Sequence, residues 1–515
     1  MSSTITAGFI DLATYDEPET HLYGGGEAIT YFVRQHCRST WFTLVPTSLS
    51  KCSGQPCFNS EWSVNISRAG DYLVHSWLRV CIPEIAFTQA PPPPQQTILL
   101  DPQSGLTQVV DIPGKWTLRW CRNLLHNLVA SARLTFNDLQ AQELNSFVFD
   151  CERAFGLTAS KTEAYDNMIG DVQVLNGGVE YNPDKPNKLP AAILNLPLNF
   201  FFSRDTGVAL PTAALPYNEM KFCFTFRDWS ELLVMEFVPD KVPNKQLQAS
   251  PGHFTPSIPV KQASYIGNNC PLLKADVYAH YAIVANEERQ RMAAGFRDIL
   301  IEQYQFNHKC VWDPCNSSCQ FSDIRFSHPV KTLWFSVKNV TNPNDHSNYG
   351  LASYVPHRVK NEHHEHSYLL ETSPELQADP LEYLNILYEN TARVAMNIDY
   401  YALVNPYYHA VRIPTEHGYH MYSYSAHNYK DLDPKGSTNY GKLTNVSLQF
   451  KATQEAQDAA NAAKISEDQK KEKYGDVKYR VRSGVVTPQK YECHAAVINH
   501  NIVRVAGGVL GFPVM

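Results

Sequence analysis

Three clusters in this chain combine side chain types that can do chemistry. Gly436-Ser-Thr-Asn-Tyr-Gly441-Lys442-Leu443 comes close to a phosphate loop, where a Gly-rich turn cradles phosphates and a Ser or Thr after the Lys holds Mg²⁺. Leu443 stands where that hydroxyl is needed, and a strand-like run follows instead of a helix whose N-terminus would face the anion. A β-turn leading into a strand is the expectation. Cys310, Cys315 and Cys319, near His308, have spacings loosely like those of a zinc knuckle, but irregular and without a clear fourth ligand. A metal, a disulfide and free thiols in a surface loop stay open for them, with free thiols the leading reading; Cys52 and Cys57 are equally ambiguous. Glu362-His363-His364-Glu365-His366 lacks the His-Glu-x-x-His spacing that sets two ligands on one helical face, and on a strand its neighbours would point to opposite sides. It reads as a solvated loop.

Sequons occur at Asn65, Asn316, Asn339 and Asn445. Asn65 and Asn445 fall in expected strands, which leaves Asn316 as the loop candidate for glycosylation. There is no Gly-x-Ser-x-Gly elbow and no carboxylate pair at a catalytic spacing. No catalytic, cofactor-binding or metal residue is assigned, and the expectation is a protein that is not an enzyme.

The elements that would position such residues say more. Trp62–Arg68, Tyr72–Val80, Phe222–Phe226 and Val277–Ile283 carry apolar residues at alternate positions, the period of a half-buried strand. Ile324–Phe326, Leu333–Val337, Val446–Phe450 and Val497–Val503 do so again, in the same order. The last two runs of each set start 55 positions apart (222 to 277) and 51 apart (446 to 497). No parallel βαβ rhythm is present, so the strands must pair antiparallel. The fold expected is all-β: a tandem double jelly roll, two eight-stranded antiparallel β-sandwiches, with short helices and loop insertions. Residues 1–24 read as an extended arm, 25–285 as the first roll, 286–300 as a connecting helix and 301–515 as the second roll. Ile29–Val33 and Thr40–Leu44 look strand-like, the Pro91–Pro94 run must be a loop, and a polar helical insertion that projects from the surface is expected at about 453–487.

At 515 residues, with 43% hydrophobic content, the chain can bury more than one core. A net charge of -7 supplies no global field for a phosphate backbone, so direct nucleic-acid binding is disfavoured. No basic, apolar leader opens the sequence and no run of about 18 apolar residues could span a bilayer. Twelve cysteines are too sparse for a disulfide scaffold, and Cys81, Cys121 and Cys223 read as small buried hydrophobes. A soluble protein made in a reducing compartment is expected.

Gly8-Phe-Ile-Asp11, Trp62-Ser-Val-Asn-Ile-Ser-Arg-Ala-Gly-Asp-Tyr72, Asn167-Met-Ile-Gly-Asp171, Phe201–Glu219, Phe226-Arg-Asp-Trp229, Gly436–Gly441, Leu443–Ser447, Asn499–Arg504 and the Gly507–Pro513 ending span almost the whole chain in order. In them the chain resembles the major capsid proteins of nucleocytoplasmic large DNA viruses, of the iridovirus type. The resemblance implies a structural double jelly roll forming homotrimeric, pseudo-hexagonal capsomers of an icosahedral shell. It also implies neighbouring capsomers, minor capsid and penton proteins as partners, an inner viral membrane nearby, no cofactor, and a place in the outer capsid of a virion assembled in the host cytoplasm as a late protein. The same architecture leaves two other readings: a lectin-like jelly roll using the aromatics of Tyr400–Tyr424 to stack on sugars, and a cupin-like metalloenzyme.

Overall fold

The computed structural model describes residues 2–34, 36–86, 97–100, 107–110, 114–180, 182, 188–239, 257–258, 274–293, 295–307, 309–351, 379–460 and 489–513. The Pro91–Pro94 run, the Glu362–His366 cluster, His308 and most of 453–487 lie outside the described residues.

Two units are distinguished, residues 1–42 and 43–515. The larger holds two rolls built on one plan. The first uses β1 (Phe42–Ser48), β2 (Glu61–Asn65), β3 (Tyr72–Ile82), β4 (Val129–Phe136), β5 (Leu139–Asn145), β6 (Ala192–Pro197), β7 (Met220–Phe226) and β8 (Lys274–Val284). The second uses β9 (Arg297–Phe306), β10 (Cys319–Ile324), β11 (Pro329–Asn339), β12 (Leu381–Tyr388), β13 (Thr391–Asn397), β14 (His420–Ser423), β15 (Val446–Ala452) and β16 (Tyr491–Ala506). Sheet orders are β1-β8-β3-β6 and β2-β7-β4-β5 in the first, β9-β16-β11-β14 and β10-β15-β12-β13 in the second. Numbered within each roll, both read 1-8-3-6 and 2-7-4-5, a jelly roll used twice. The paired sequence runs fall on equivalent strands.

Alternation explains the packing. In β7, Met220, Phe222, Phe224 and Phe226 are buried while the residues between them are half-buried. Phe222 and Phe224 register against Val64 and Trp62 of β2, and Trp62 stacks on Phe224 at 5.6 Å. Each such buried side chain contributes about 1.5–3 kcal/mol. In the second roll Leu384, Ile386, Leu448 and Phe450 face Leu333, Phe335 and Val497 in a separate core. Within 119–136 a short helix at Leu124–Leu128 is followed by β4.

Four details correct the sequence expectations. The N-terminal segment is helical rather than extended, over Ser2–Ala13 and Glu17–Leu22. The second helix is fixed by a capping box, with Asp16 accepting from the Glu17 amide and Glu19 accepting from the Asp16 amide. Ile29–Val33 is not a strand, because these residues are exposed and find no ladder partner. The connecting helix covers Asn286–Ala293 and not 286–300. From Arg297 the chain runs as β9, where Ile299 and Ile301 point inward and Leu300 outward, because ladder pairing with β16 outweighs the helical spacing of Met292, Phe296 and Ile299. Finally, the polar helix at Gln454–Ala460 does not simply project: Ala456 and Ala459 pack on the second core.

Candidate functional site: the seam between the rolls

The rolls share an order but not an environment. In β3, inward Leu78, Val80 and Ile82 alternate with half-buried Trp77, Arg79 and Cys81, as expected of a sheet with one open face. In the equivalent β11, everything from Val330 to Val337 is buried, so the sheet of the second roll is covered on both sides. Leu333, Phe335 and Val337 face its own core, while Trp334 joins the core of the first roll.

What covers it is the helix Ser146–Gly156 (here α1) together with β5 and the turns after Phe200. Asn145 caps α1, accepting from the Val148 amide at 2.9 Å. Phe147, Val148, Cys151 and Phe155 supply its apolar contacts. The remaining positions are acids and a base that are buried yet paired. Asp150 accepts from Asn123 (2.8 Å), Ser347 (2.6 Å) and Tyr349 (2.9 Å), and His126 Nδ1 lies 2.8 Å away. Arg153 makes a fork with Asp166 (2.6 and 2.8 Å) and reaches Glu416 of the second roll at 3.1 Å. Glu152 receives Tyr304 Oη (2.5 Å), Lys430 Nζ (2.5 Å) and Arg204 Nη2 (3.1 Å). Lys331 Nζ meets Glu302 at 2.5 Å with both side chains essentially inaccessible, and donates also to the Asp431 carbonyl. Further stitches are Gln303 Nε2 to the Ala141 carbonyl (2.8 Å), Arg119 to Asp345 (3.3 Å) and Arg122 to Glu416 (2.6 Å).

Such a lattice suits rigidity more than turnover. Buried ions of this kind add little net stability over apolar packing, but removing one partner is expensive, which fixes a single docking of roll on roll. Burial alone would raise the Glu152 carboxyl; Lys430 and Arg204 overcome that and hold it at about 2. The folded value lies below the ordinary 4.5, so the stabilisation is fully present above pH 4.5 and is lost as pH falls through about 2. The expected loss is about 3 kcal/mol between those limits, read as a falling urea midpoint, and Glu152→Gln should flatten that part of the profile.

The residues singled out from sequence do not converge. Cys310 lies on the short strand Cys310–Trp312 and Cys319 opens β10, both free thiols, while Cys315 lies in the turn between, its amide donating to Asp313 Oδ1 at 3.0 Å. Among the described residues no group of three or more His, Cys, Asp or Glu is arranged to hold a metal. Asn316 is exposed, its amide donating to Asp313 at 2.7 Å; Asn339 is buried; Asn65 and Asn445 are half-buried. In Gly436–Leu443 the expected β-turn is replaced by a two-residue strand, Thr438–Asn439, paired with Val330 and Pro329 of β11, and by a short 3₁₀ segment, Tyr440–Lys442; β15 then follows as expected, and Gly436 is needed because a Cβ would meet the Tyr424 carbonyl at 2.5 Å. Of the cysteines read as buried, Cys121 is fully so, but Cys81 and Cys223 are only half-buried on the outer faces of their strands. The seam charges were not anticipated. Their signal was there: Lys331 and Glu302 interrupt apolar strand runs on positions that solvent-facing alternation does not require.

Comparison with known proteins decides the family. Residues 30–266 match the family described as major capsid protein N-terminus, and 288–511 the one described as large eukaryotic DNA virus major capsid protein. The chain is 44% identical to the major capsid protein of Costelytra zealandica iridescent virus over all of its own length and 99% of the relative. This chain belongs to the major capsid proteins of large eukaryotic DNA viruses. It is 45% identical to the Wiseana iridescent virus protein (98% of this chain, 93% of that one) and 40% identical to that of Lymphocystis disease virus 1, isolate Darai (100% and 99%). The fold matches PBCV-1 VP54 (TM-score 0.62, 18% identity, 94% of this chain and all of that one) and the Faustovirus major capsid protein (TM-score 0.62, 11% identity, 93% of each). As a major capsid protein it is a structural component of a virion, not an enzyme. The lectin-like reading gains no support: Tyr401 and Tyr419 are buried, and Tyr422 and Tyr424 pack edge-to-face at 4.9 Å. Only Tyr407 and Tyr408 of that group stand well exposed.

Proposed function

We propose that this major capsid protein closes into a homotrimer with a pseudo-hexagonal outline, the capsomer of an icosahedral shell. One observation carries the reading. Within the chain, the sheet β9-β16-β11-β14 is covered by the first roll, β5 touching β9 through Gln303 and Ala141. The equivalent sheet β1-β8-β3-β6 leaves its outer face open, presenting Trp77 stacked on Tyr278 at 5.5 Å and tilted against His280 at 4.9 Å. The strand equivalent to β5 is β13, exposed along most of its length. Three copies placed head to tail, each β13 side meeting the next copy's open sheet, add three such contacts to the three internal ones and close a ring of six.

On the same reading residues 25–285 and 301–515 are the two roll units. Residues 1–24 are an arm on the inner face, toward minor capsid proteins or the membrane side. Ile5, Phe9, Ile10, Leu12, Leu22 and Tyr23 of that arm are exposed, an apolar surface that a partner would cover. Neighbouring capsomers and penton proteins, a nearby inner membrane, late expression and assembly in the host cytoplasm belong to this proposal, as does Asn316 as the sequon open to modification.

Size-exclusion chromatography with light scattering tests it. The expected mass is about 175 kDa, three times 58.2 kDa. Trp77→Glu should shift the mass to a single chain, and deletion of 1–24 should leave the trimer but impair shell assembly. A wild-type chain that stays single, or a deletion that assembles normally, rejects the corresponding half.

A further inference from the structure

The strand Cys310–Trp312 lies beside the start of β16, with Cys310 directly opposite Cys493, Val311 opposite Glu492 and Trp312 opposite Tyr491. Directly opposed residues of an antiparallel pair point to the same face, with Cα atoms about 4.5 or 5.5 Å apart according to the hydrogen-bonding of the pair. Both separations lie within the range a disulfide spans. Here that face is the interior of the second roll: Cys493, Tyr491 and Trp312 belong to its core and Cys310 packs against it. Both thiols are free, Cys493 buried and Cys310 half-buried, so one sulfur of the pair can be reached from solvent. The Gln320 amide donates to Cys310 Sγ at 3.3 Å, holding that sulfur at the sheet edge.

We propose that Cys310 and Cys493 form a reversible cross-strand disulfide in the mature particle, with a small-molecule disulfide such as glutathione disulfide as oxidant. The Cys310 thiolate attacks one sulfur of the oxidant, breaking its S–S bond and releasing one glutathione thiolate. The Cys493 thiolate then attacks the Cys310 sulfur of the mixed disulfide and expels the second. Two protein thiols are oxidised, one glutathione disulfide is reduced to two thiols, and the two protons pass from the cysteines to the departing glutathiones. Burial and the neighbouring Cys310 raise the Cys493 thiol.

The position gives the bridge a purpose. Pairing of β9 with β16 follows one register to Phe306 opposite Ala496, then slips before resuming at Cys310 opposite Cys493. The piece beyond the slip is three residues long and held by few ladder bonds. A covalent tie pins it, and the loop of 313–318 that follows, to the central strand of the roll. A virion that leaves a reducing compartment for an oxidising one meets the conditions in which such a tie persists.

The full-length purified protein is oxidised with glutathione disulfide, blocked with an alkylating agent, digested without reductant and mapped by mass spectrometry. The expected product is a peptide pair joined Cys310 to Cys493 that dithiothreitol separates, with a melting midpoint raised by about 4–8 °C over the reduced protein. Cys493→Ser should stop the reaction at a glutathione adduct on Cys310. Full alkylation of both cysteines after oxidation, a link from Cys310 to Cys315 or Cys319 instead, or a joined pair with a lowered midpoint would each overturn the proposal.

Discussion

Trp334→Ala should lower unfolding stability by about 3–5 kcal/mol, the cost of emptying a fully enclosed indole site. Trp334 is wholly buried on the side of β11 that faces the first roll. It stacks on Phe155 of α1 at 6.3 Å and on Tyr304 of β9 at 5.8 Å, and meets Tyr429 edge-on at 5.7 Å. Aromatic groups from both rolls thus close on one side chain, and Tyr304 is held in place by its hydrogen bond to Glu152. Urea unfolding monitored by circular dichroism reads the loss. Trp334→Phe, which keeps a ring in the stack, should recover much of it; an alanine variant as stable as wild type would show that the seam is not held there.

Lys331→Ala should cost a comparable amount, about 3–5 kcal/mol, for a different reason. The ammonium and Glu302 are sealed together at 2.5 Å, and the next cation, Arg204 Nε, lies 3.8 Å from the other carboxylate oxygen. Removing Lys331 strands a carboxylate in a site that water does not reach. Burial pulls the Lys331 ammonium downward while Glu302 opposes it, the balance expected of a charge kept only by its partner. The paired replacement Lys331→Met with Glu302→Leu should therefore be much milder than either single change, because it removes both charges and keeps the volume. Equal losses in the single and double variants would mean the pair is held by packing alone.

These two residues mark where sequence reading stops. β7 and β15 were legible because half-buried strands advertise themselves: Phe222, Phe224 and Phe226 alternate with polar neighbours, and Val446, Leu448 and Phe450 do the same. The duplicated order followed from matching such runs, and the strand order 1-8-3-6 and 2-7-4-5 then conforms to the expected jelly rolls. β11 gave a weaker signal, since a sheet covered on both faces loses its alternation, and nothing local says that the second cover comes from a helix near residue 150. The same holds for Glu152, which in sequence is one acid in an amphipathic helix and becomes a hub only when Arg204, Tyr304 and Lys430 arrive from distant segments. The helix of the arm has a legible local signal: Asp16 and Glu19 spell a capping box around Pro18, which needs no tertiary support. Phe296 and Ile299 misled in the other direction, their helical spacing overruled by the ladder to β16.

β16 has a consequence for how the molecule is made. It is sixteen residues long, sits between β9 and β11, and is the last of the sixteen sandwich strands to leave the ribosome. Until it arrives, β9 and β11 have no mutual neighbour and the second sandwich has no middle. A nascent chain therefore carries a first roll that can fold early beside a partner that cannot, and a translation product stopped short of Tyr491 lacks the keystone of its second half.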